Sequence, residues 1–410
     1  MPQFVHLHVH SQYSILDGQA SIQRLVDKAM ADGQPGIAIT DHGDMFGIKE
    51  FYNYVKKVKG KLKDKAADCE KRLEELRGGE AGAAEIEKQL AELKRKLAFK
   101  PIIGCEVYVA RRRLHDKEGK PDQSGYHLIL LAKNLKGYHN LIKIVSKAWT
   151  EGFYMRPRTD RVEIEKYHEG LICCSACLAG EVPRYIEKGM IEEAKQAALK
   201  YQDCFGKGNY FLELQDHGIP MQQTVNAALL SMSRELDIPL VATNDVHYTR
   251  AEDAQAHDIL LCIQTGKVVT DENRMRYEGG QYFIKSEEQM KELFPYALEA
   301  LENTHKIAER CNVEIEFGVT KLPKFEVPQG YDSWTYLNKL CMDGLKERYP
   351  DDDGTLKERL DYELSTIRRM GYVDYFLIVW DFINYARTQG IMVGPGRGSA
   401  AGSIVSYCLG

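Results

Sequence analysis

The sequence predicts an α/β protein built on a parallel barrel, and three observations carry that reading. Short apolar segments bounded by turn residues recur through residues 5–247. Most are followed by a stretch whose apolar residues repeat at helical spacing, the alternation expected of strand–helix units. Residues able to bind metal sit where those strands give way to loops, the end of an α/β barrel that holds active sites. At 410 residues the chain exceeds one ordinary core, so two domains are expected.

The opening stretch Val5-His6-Leu7-His8-Val9-His10 reads as a strand, with its apolar residues on one side and its histidines on the other. Asp17 and Gly18 follow. Ser21 is a helix N-cap, and Ile22, Leu25, Val26, Ala29 and Met30 form an apolar stripe that ends at Gly33. Gly36 to Thr40 is a second strand, running into Asp41-His42-Gly43. Residues 56–99 differ in kind: Lys, Glu, Ala and Leu dominate, and the pattern predicts an αα-hairpin inserted into the barrel with its tip near residues 78–82. Strands resume at 101–109 with Glu106 inside, at 126–132 with His127 near the start, and at 170–175 just before Cys177. Further strands are expected at 210–215 and at 239–243, the latter leading to Asn244-Asp245-Val246-His247. Helices are expected at 137–148, 191–201 and 222–236. Seven strands result. From Asp271 to Pro350 the pattern is helical and loop-rich.

Hydrophobic residues at 44% and charged residues at 28% describe an ordinary globular protein rather than a disordered one. No apolar run approaches the roughly 18 residues of a membrane span and no signal segment opens the chain, so a cytoplasmic location is expected. Ten scattered cysteines fit reduced thiols better than a disulfide framework. A net charge of -5 excludes a globally basic nucleic-acid binder but leaves room for a local basic groove. Arg111 to Arg113 and Arg156 to Arg161 are the local basic runs, read as solvated loops or as contacts to a DNA backbone.

Ligand-type residues therefore collect at one barrel end: His8, His10 and Asp17, then His42, Glu106, His127 and Cys177, then Asp245 and His247. Mixed imidazole, carboxylate and thiolate donors favour zinc, with manganese or iron as alternatives. His6 belongs behind that set, and His217 is the exception to watch among the other histidines because Glu213 and Gln215 precede it. Near the C-terminus, residues 391–393 read as a strand and residues 394–398 as a tight glycine loop before a helix, whose free N–H groups suit phosphates. Arg397 adds charge to that loop, and a glycine turn without a ligand is the alternative.

These stretches resemble the polymerase and histidinol phosphatase (PHP) family, in the form found at the N-terminus of bacterial DNA polymerase III alpha subunits. The resemblance rests on His6 to Ser11 with Asp17-Gly18, on Thr40 to Gly43, Gly104 to Glu106, Cys177 to Glu181 and Asn244 to His247. It continues through Tyr362 to Leu364, Met370 to Tyr372, Tyr375 to Val379 and Gly394 to Ser403, which look like the beginning of the polymerase palm. It implies a distorted seven-stranded (β/α)7 barrel over 1–284, with 56–99 as an insertion, and the start of a palm over 285–410.

The resemblance also implies three metal ions. His8, His10, Glu106 and Asp245 would hold the first and form the catalytic set. Glu106 would bridge to a second held by His127 and Cys177, and Asp17, His42 and His247 would hold the third. The implied activity is phosphodiester hydrolysis, as a 3'–5' proofreading exonuclease, attached to a DNA-directed polymerase that uses magnesium. Gly396, Arg397, Gly398, Ser399 and Ser403 in the glycine loop and the helix start after it would face a deoxynucleoside triphosphate, and DNA, a sliding clamp and a separate proofreading subunit are the implied partners. Two other readings stay open: a stand-alone phosphatase of the histidinol-phosphate type, which the segment 362–402 speaks against, and a catalytically silent, metal-stabilised scaffold for replication partners.

Overall fold

The computed structural model describes residues 4–76, 82–319, 321–394, 396 and 398–410. The chain divides into two compact units, residues 1–315 and 316–410.

In the first unit the strands are β1 (Gly36–Ile39), β2 (Lys100–Val109), β3 (Tyr126–Ala132), β4 (Arg158–Thr159), β5 (Leu171–Cys174), β6 (Tyr210–Leu214) and β7 (Leu240–Ala242). They form a curled sheet in the order β1-β2-β3-β5-β6-β7, with β4 paired to β2. The expected parallel arrangement is broken at β3, which runs antiparallel to both β2 and β5. The chain between β2 and β3 carries only the four-residue helix Gly119–Asp122, too little to form a helical crossover. The reversal has a functional consequence. His127 is the second residue of β3, and because β3 runs backwards its start lies at the carboxyl end of β2, with Tyr108 opposite His127.

Seven strands were expected and seven occur among the described residues, but they are not the same seven. The opening stretch makes isolated bridges, His6 to Ile37 and Val9 to Val246, instead of a continuous ladder. Its backbone changes partner along its length. His6 and Val9 carbonyls accept from Ala38 and Thr40 on one side, while His10 N–H donates to Val246 and His8 carbonyl accepts from it on the other. The stretch thereby closes the ring between β1 and the segment after β7. The two-residue β4, too short to carry a periodic signal, makes up the number.

Alternation along the strands sorts the core. Ile102, Ile129, Leu131, Ile172, Cys174, Phe211 and Val241 share the inward face with Val5 and Leu7. Ile103, Leu128, Leu130, Cys173 and Leu212 pack outward against the surrounding helices. The floor of the interior is filled by Ile307, Ala308 and Cys311, from the helix Leu298–Arg310 and its cap. Thr304 Oγ1 there accepts from Val5 N–H at 3.0 Å. This moves the domain boundary: the break expected after residue 284 falls after Ile315, because the helix at 298–310 plugs the barrel.

The inserted hairpin consists of Ile48–Glu75 and Ala83–Leu97. Its first helix starts before residue 56, since Ile48, Phe51 and Val55 belong to the barrel core. Further out, among the described residues, only Ala66, Cys69 and Ile86 are buried, and the tip at 77–81 lies outside them.

The second unit packs Ser333–Arg348, Thr355–Arg369, Val373–Thr388 and Ile404–Cys408 around Leu337, Cys341, Leu360, Leu364, Leu377 and Val405. Gly344 lies so close to Cys408 that a Cβ would sit 1.8 Å from its carbonyl oxygen. Residues 391–393, expected as a strand, form none; after them comes a 3-10 turn over Gly398–Gly402. Among the described residues no helix is long and apolar enough to cross a membrane.

Candidate metal centre

The inward faces of β2, β3 and β6 that carry the apolar floor carry polar residues nearer the opposite end: Glu106, His127 and Glu213 in place of isoleucine or leucine. All nine residues expected as ligands come together there. Glu106 is the hub, fully buried, with His42 Nδ1 at 2.6 Å, His127 Nδ1 at 2.8 Å, His8 Nε2 at 3.4 Å and His10 Nε2 at 3.5 Å. Cys177 Sγ lies 3.9 Å from the same carboxylate and 3.7 Å from His127 Nδ1. Asp245 Oδ1 sits 3.1 Å from His8 Nε2 and 3.2 Å from His10 Nε2. Asp17 Oδ2 is 3.0 Å from His42 Nε2 and 3.9 Å from His247 Nε2.

Three groups have donor atoms close enough to share an ion: His8, His10 and Asp245; His42, Glu106 and His127; and His10, His42 and His247. Buried polar atoms are ordinarily hydrogen-bonded. Here His8 Nε2, His10 Nε2, His42 Nδ1, Asp17 Oδ1, Glu106 Oε2 and Asp245 Oδ1 have no partner in hydrogen-bond geometry among the described residues. They are concentrated at one place and face one another. Such a cluster fits divalent cations held by mixed imidazole, carboxylate and thiol donors.

Electrostatics agree with that fit. Burial alone would push the Glu106 carboxyl up, but His127, His42 and His8 hold it well below its usual range. Burial likewise opposes ionisation of Asp245 and Asp17, and the surrounding histidines outweigh it, holding both low. His10 is lowered to about 3 by burial and by His42 and His247, so it stays neutral with a lone pair to offer. His8 moves the other way: burial is overcome by Asp245, Glu213 and Glu106. Burial, Glu106 and Asp245 raise the Cys177 thiol, so metal binding there releases a proton.

A second layer of residues fixes the rings. Glu213 Oε1 accepts from His8 Nδ1 at 2.7 Å, which leaves Nε2 bare toward the interior. His10 Nδ1 meets Ser14 Oγ at 3.0 Å, and that hydroxyl donates to Asp41 at 2.7 Å. His247 Nδ1 donates to the Asp245 carbonyl at 2.8 Å, while the Tyr277 hydroxyl lies 3.4 Å from its Nε2. These partners carried no ligand signal in the sequence, although Glu213 and Ser14 lie at spacings a strand face and a turn would bring inward. The backbone is also forced. Leu16, Ala176 and Asp245, at or beside Asp17, Cys177 and the first group, are three of the five non-glycine residues with positive φ among those described. Gly18 is required, since a Cβ there would lie 2.0 Å from the Ser11 carbonyl oxygen.

His6 lies behind the site as expected, with Nε2 donating to the Lys285 carbonyl. Other expectations change. His217 is outside the cluster, bonded to the Asn244 carbonyl and stacked on Tyr282. His257, which had no strand-end placement in the sequence, packs its ring against His247 and Tyr277. The second basic run is largely structural: Arg158 is fully buried and donates to three carbonyls, and Arg161 pairs with Glu181. Arg112 is held by Asp122. In the second unit Ser403 Oγ donates to Glu363 at 2.8 Å and caps the following helix. Gly396, Gly398 and Ser399 are exposed, and Arg397 lies outside the described residues.

Residues 6–217 match the PHP domain, and residues 335–410 match the bacterial DNA polymerase III alpha NTPase domain. Over 99% of its length the chain is 44% identical to the DNA polymerase III subunit alpha of Borreliella burgdorferi and to that of Treponema pallidum. It is 36% identical to that of Thermus aquaticus. The chain spans about a third of the length of these relatives, 32% of the first two and 35% of the third.

Proposed function

The chain belongs to the PHP domain family, and on that premise we propose that it is the N-terminal part of a replicative DNA polymerase III alpha subunit whose barrel is a metal-dependent phosphodiesterase. The observation that carries the hydrolytic reading is the convergence of nine donor residues, six of which turn a buried atom without a hydrogen-bond partner among the described residues into the cluster. His8, His10 and Asp245 would hold one ion, Glu106, His127 and Cys177 a second, and Asp17, His42 and His247 a third. Zinc suits this donor set first, then manganese or iron.

Bound ions in such a site neutralise phosphate charge and bring hydroxide within reach near neutral pH. The chain's own contribution is placement. Glu106 touches four imidazoles and so ties all three groups together. Glu213, Ser14 and the Asp245 carbonyl hold the imidazoles of His8, His10 and His247 with one nitrogen turned inward. The substrate proposed is the 3' end of a DNA strand, and the activity a 3'–5' proofreading exonuclease.

For the whole polypeptide we extend the reading to DNA-directed DNA synthesis in the cytoplasm, with magnesium and deoxynucleoside triphosphates. Gly396, Arg397, Gly398, Ser399 and Ser403 would then border the nucleotide, with Ser403 acting through the loop it braces, and a sliding clamp among the partners. The test is cleavage of a mismatched primer end by metal-restored protein. Asp245→Asn should lower it by at least about a hundredfold, the upper end for loss of an outer partner alone. Undiminished cleavage in that variant contradicts the assignment.

A further inference from the structure

Beside the metal centre runs an exposed row of aromatic rings that the hydrolytic reading does not use. Phe46, Trp149 and Phe153 are 57%, 41% and 45% exposed. Phe46 and Trp149 have ring centroids 5.8 Å apart, and Trp149 stacks on Phe153 at 5.6 Å. Large rings left open to water are costly unless something covers them.

The row is tied to the site. Trp149 Nε1 donates to the carbonyl of Gly43, the residue after His42, at 2.8 Å. The loop that follows Phe153 packs on the same turn: a Cβ on Gly43 would lie 2.7 Å from the Pro157 ring. Arg156 in that loop is exposed and holds its guanidinium 5.8 Å above the Tyr108 ring, which in turn stacks on His42. Met155 between them has φ 63° and is 67% exposed, an apolar side chain in a strained backbone.

Open aromatic faces next to an arginine, leading to a phosphate-type metal site, match the way proteins hold single strands: bases stack and the cation takes the backbone. We infer that Phe46, Trp149 and Phe153 form a stacking platform that guides a single-stranded DNA end into the metal centre, with Arg156 on a phosphate. This rests on the hydrolytic reading for its destination but not for its binding step. Stacking requires no sequence preference, which suits an activity that must accept any terminal base.

The test is fluorescence anisotropy of the protein with a labelled oligothymidylate in EDTA, where no cleavage occurs. Phe46→Ala with Phe153→Ala should weaken binding about tenfold or more. Trp149→Phe, which keeps a ring but loses the bond to Gly43, should retain most of the affinity. Arg156→Gln should reduce the slope of log affinity against log salt by about 0.7, one phosphate on a single strand. With metals restored, the Phe46→Ala, Phe153→Ala protein should hydrolyse bis(p-nitrophenyl) phosphate like the parent, since the small ester needs no platform. Unchanged oligonucleotide affinity in the double variant overturns the proposal, including the outcome in which that variant instead loses a protein partner. If the parent cannot hydrolyse the small ester, the hydrolytic reading falls while the binding result still decides the platform.

Discussion

Replacing Glu213 by glutamine changes one atom in a residue that is not expected to touch metal, and its effect can be worked from the contacts. Glu213 Oε1 receives three donors: His8 Nδ1 at 2.7 Å, Thr243 Oγ1 at 2.6 Å and Gln215 Nε2 at 3.0 Å. Oε2 receives the Ala176 N–H at 3.1 Å. An amide has one acceptor, so its oxygen must face the three donors and its NH2 then confronts Ala176. A buried N–H left unpaired costs about 1–3 kcal/mol, and weakening the charge-assisted bond to His8 adds about 1 kcal/mol. The variant should therefore lose about 2–4 kcal/mol of stability. His8 also loses a partner that increases its basicity, and loss of such an outer-layer carboxylate lowers metal affinity by roughly 10- to 100-fold. Zinc affinity measured by chelator competition, with thermal unfolding in parallel, separates the two effects. A melting temperature that falls while zinc affinity stays within a factor of about two would refute the claim that Glu213 sets up His8 for metal.

Other consequences concern stability and the insertion. His6 is lowered to about 3 by burial, so below pH 6.5 the unfolded chain takes a proton that the native chain refuses. Stability then rises with pH across this window and is lost as pH falls from 6.5; between pH 6.5 and 5 the cost from His6 is about 2 kcal/mol. Urea unfolding of metal-free His6→Gln protein at pH 7 and pH 5 should show a pH penalty smaller by that amount, and an identical penalty would sink the attribution. Replacing residues 60–96 by a short glycine-serine linker should leave folding and metal uptake intact, because the barrel keeps Ile48, Phe51 and Val55. A molten product by circular dichroism would show that the hairpin is needed by the core.

Much of this architecture was legible because its signals are local. The stripe from Ile22 to Met30 and the apolar runs at 126–132 and 210–214 follow the period of the element they form. Ligand-type residues at strand ends pointed to a single site, and all nine do come together. What escaped depends on contacts distant in sequence. The direction of β3 is decided by the chain before it, and reading it as parallel would have put His127 at the wrong end. The opening segment reads as a strand by alternation, yet its backbone shares two neighbours, so no continuous ladder forms. The domain break was misplaced because amphipathic periodicity in 298–310 does not reveal that its apolar face fills a barrel floor. Arg158 looked like surface charge, and only tertiary structure shows it wholly buried against backbone carbonyls.

The central claim is that these donors form one multinuclear centre, and anomalous scattering at the zinc edge from crystals of zinc-restored protein tests it most directly. The account predicts separate peaks among the three groups around His8–His10–Asp245, His42–Glu106–His127 and His10–His42–His247, with Glu106 between neighbouring peaks. A lone peak distant from Glu106, or density showing these side chains hydrogen-bonded to one another without metal at saturating zinc, would contradict it.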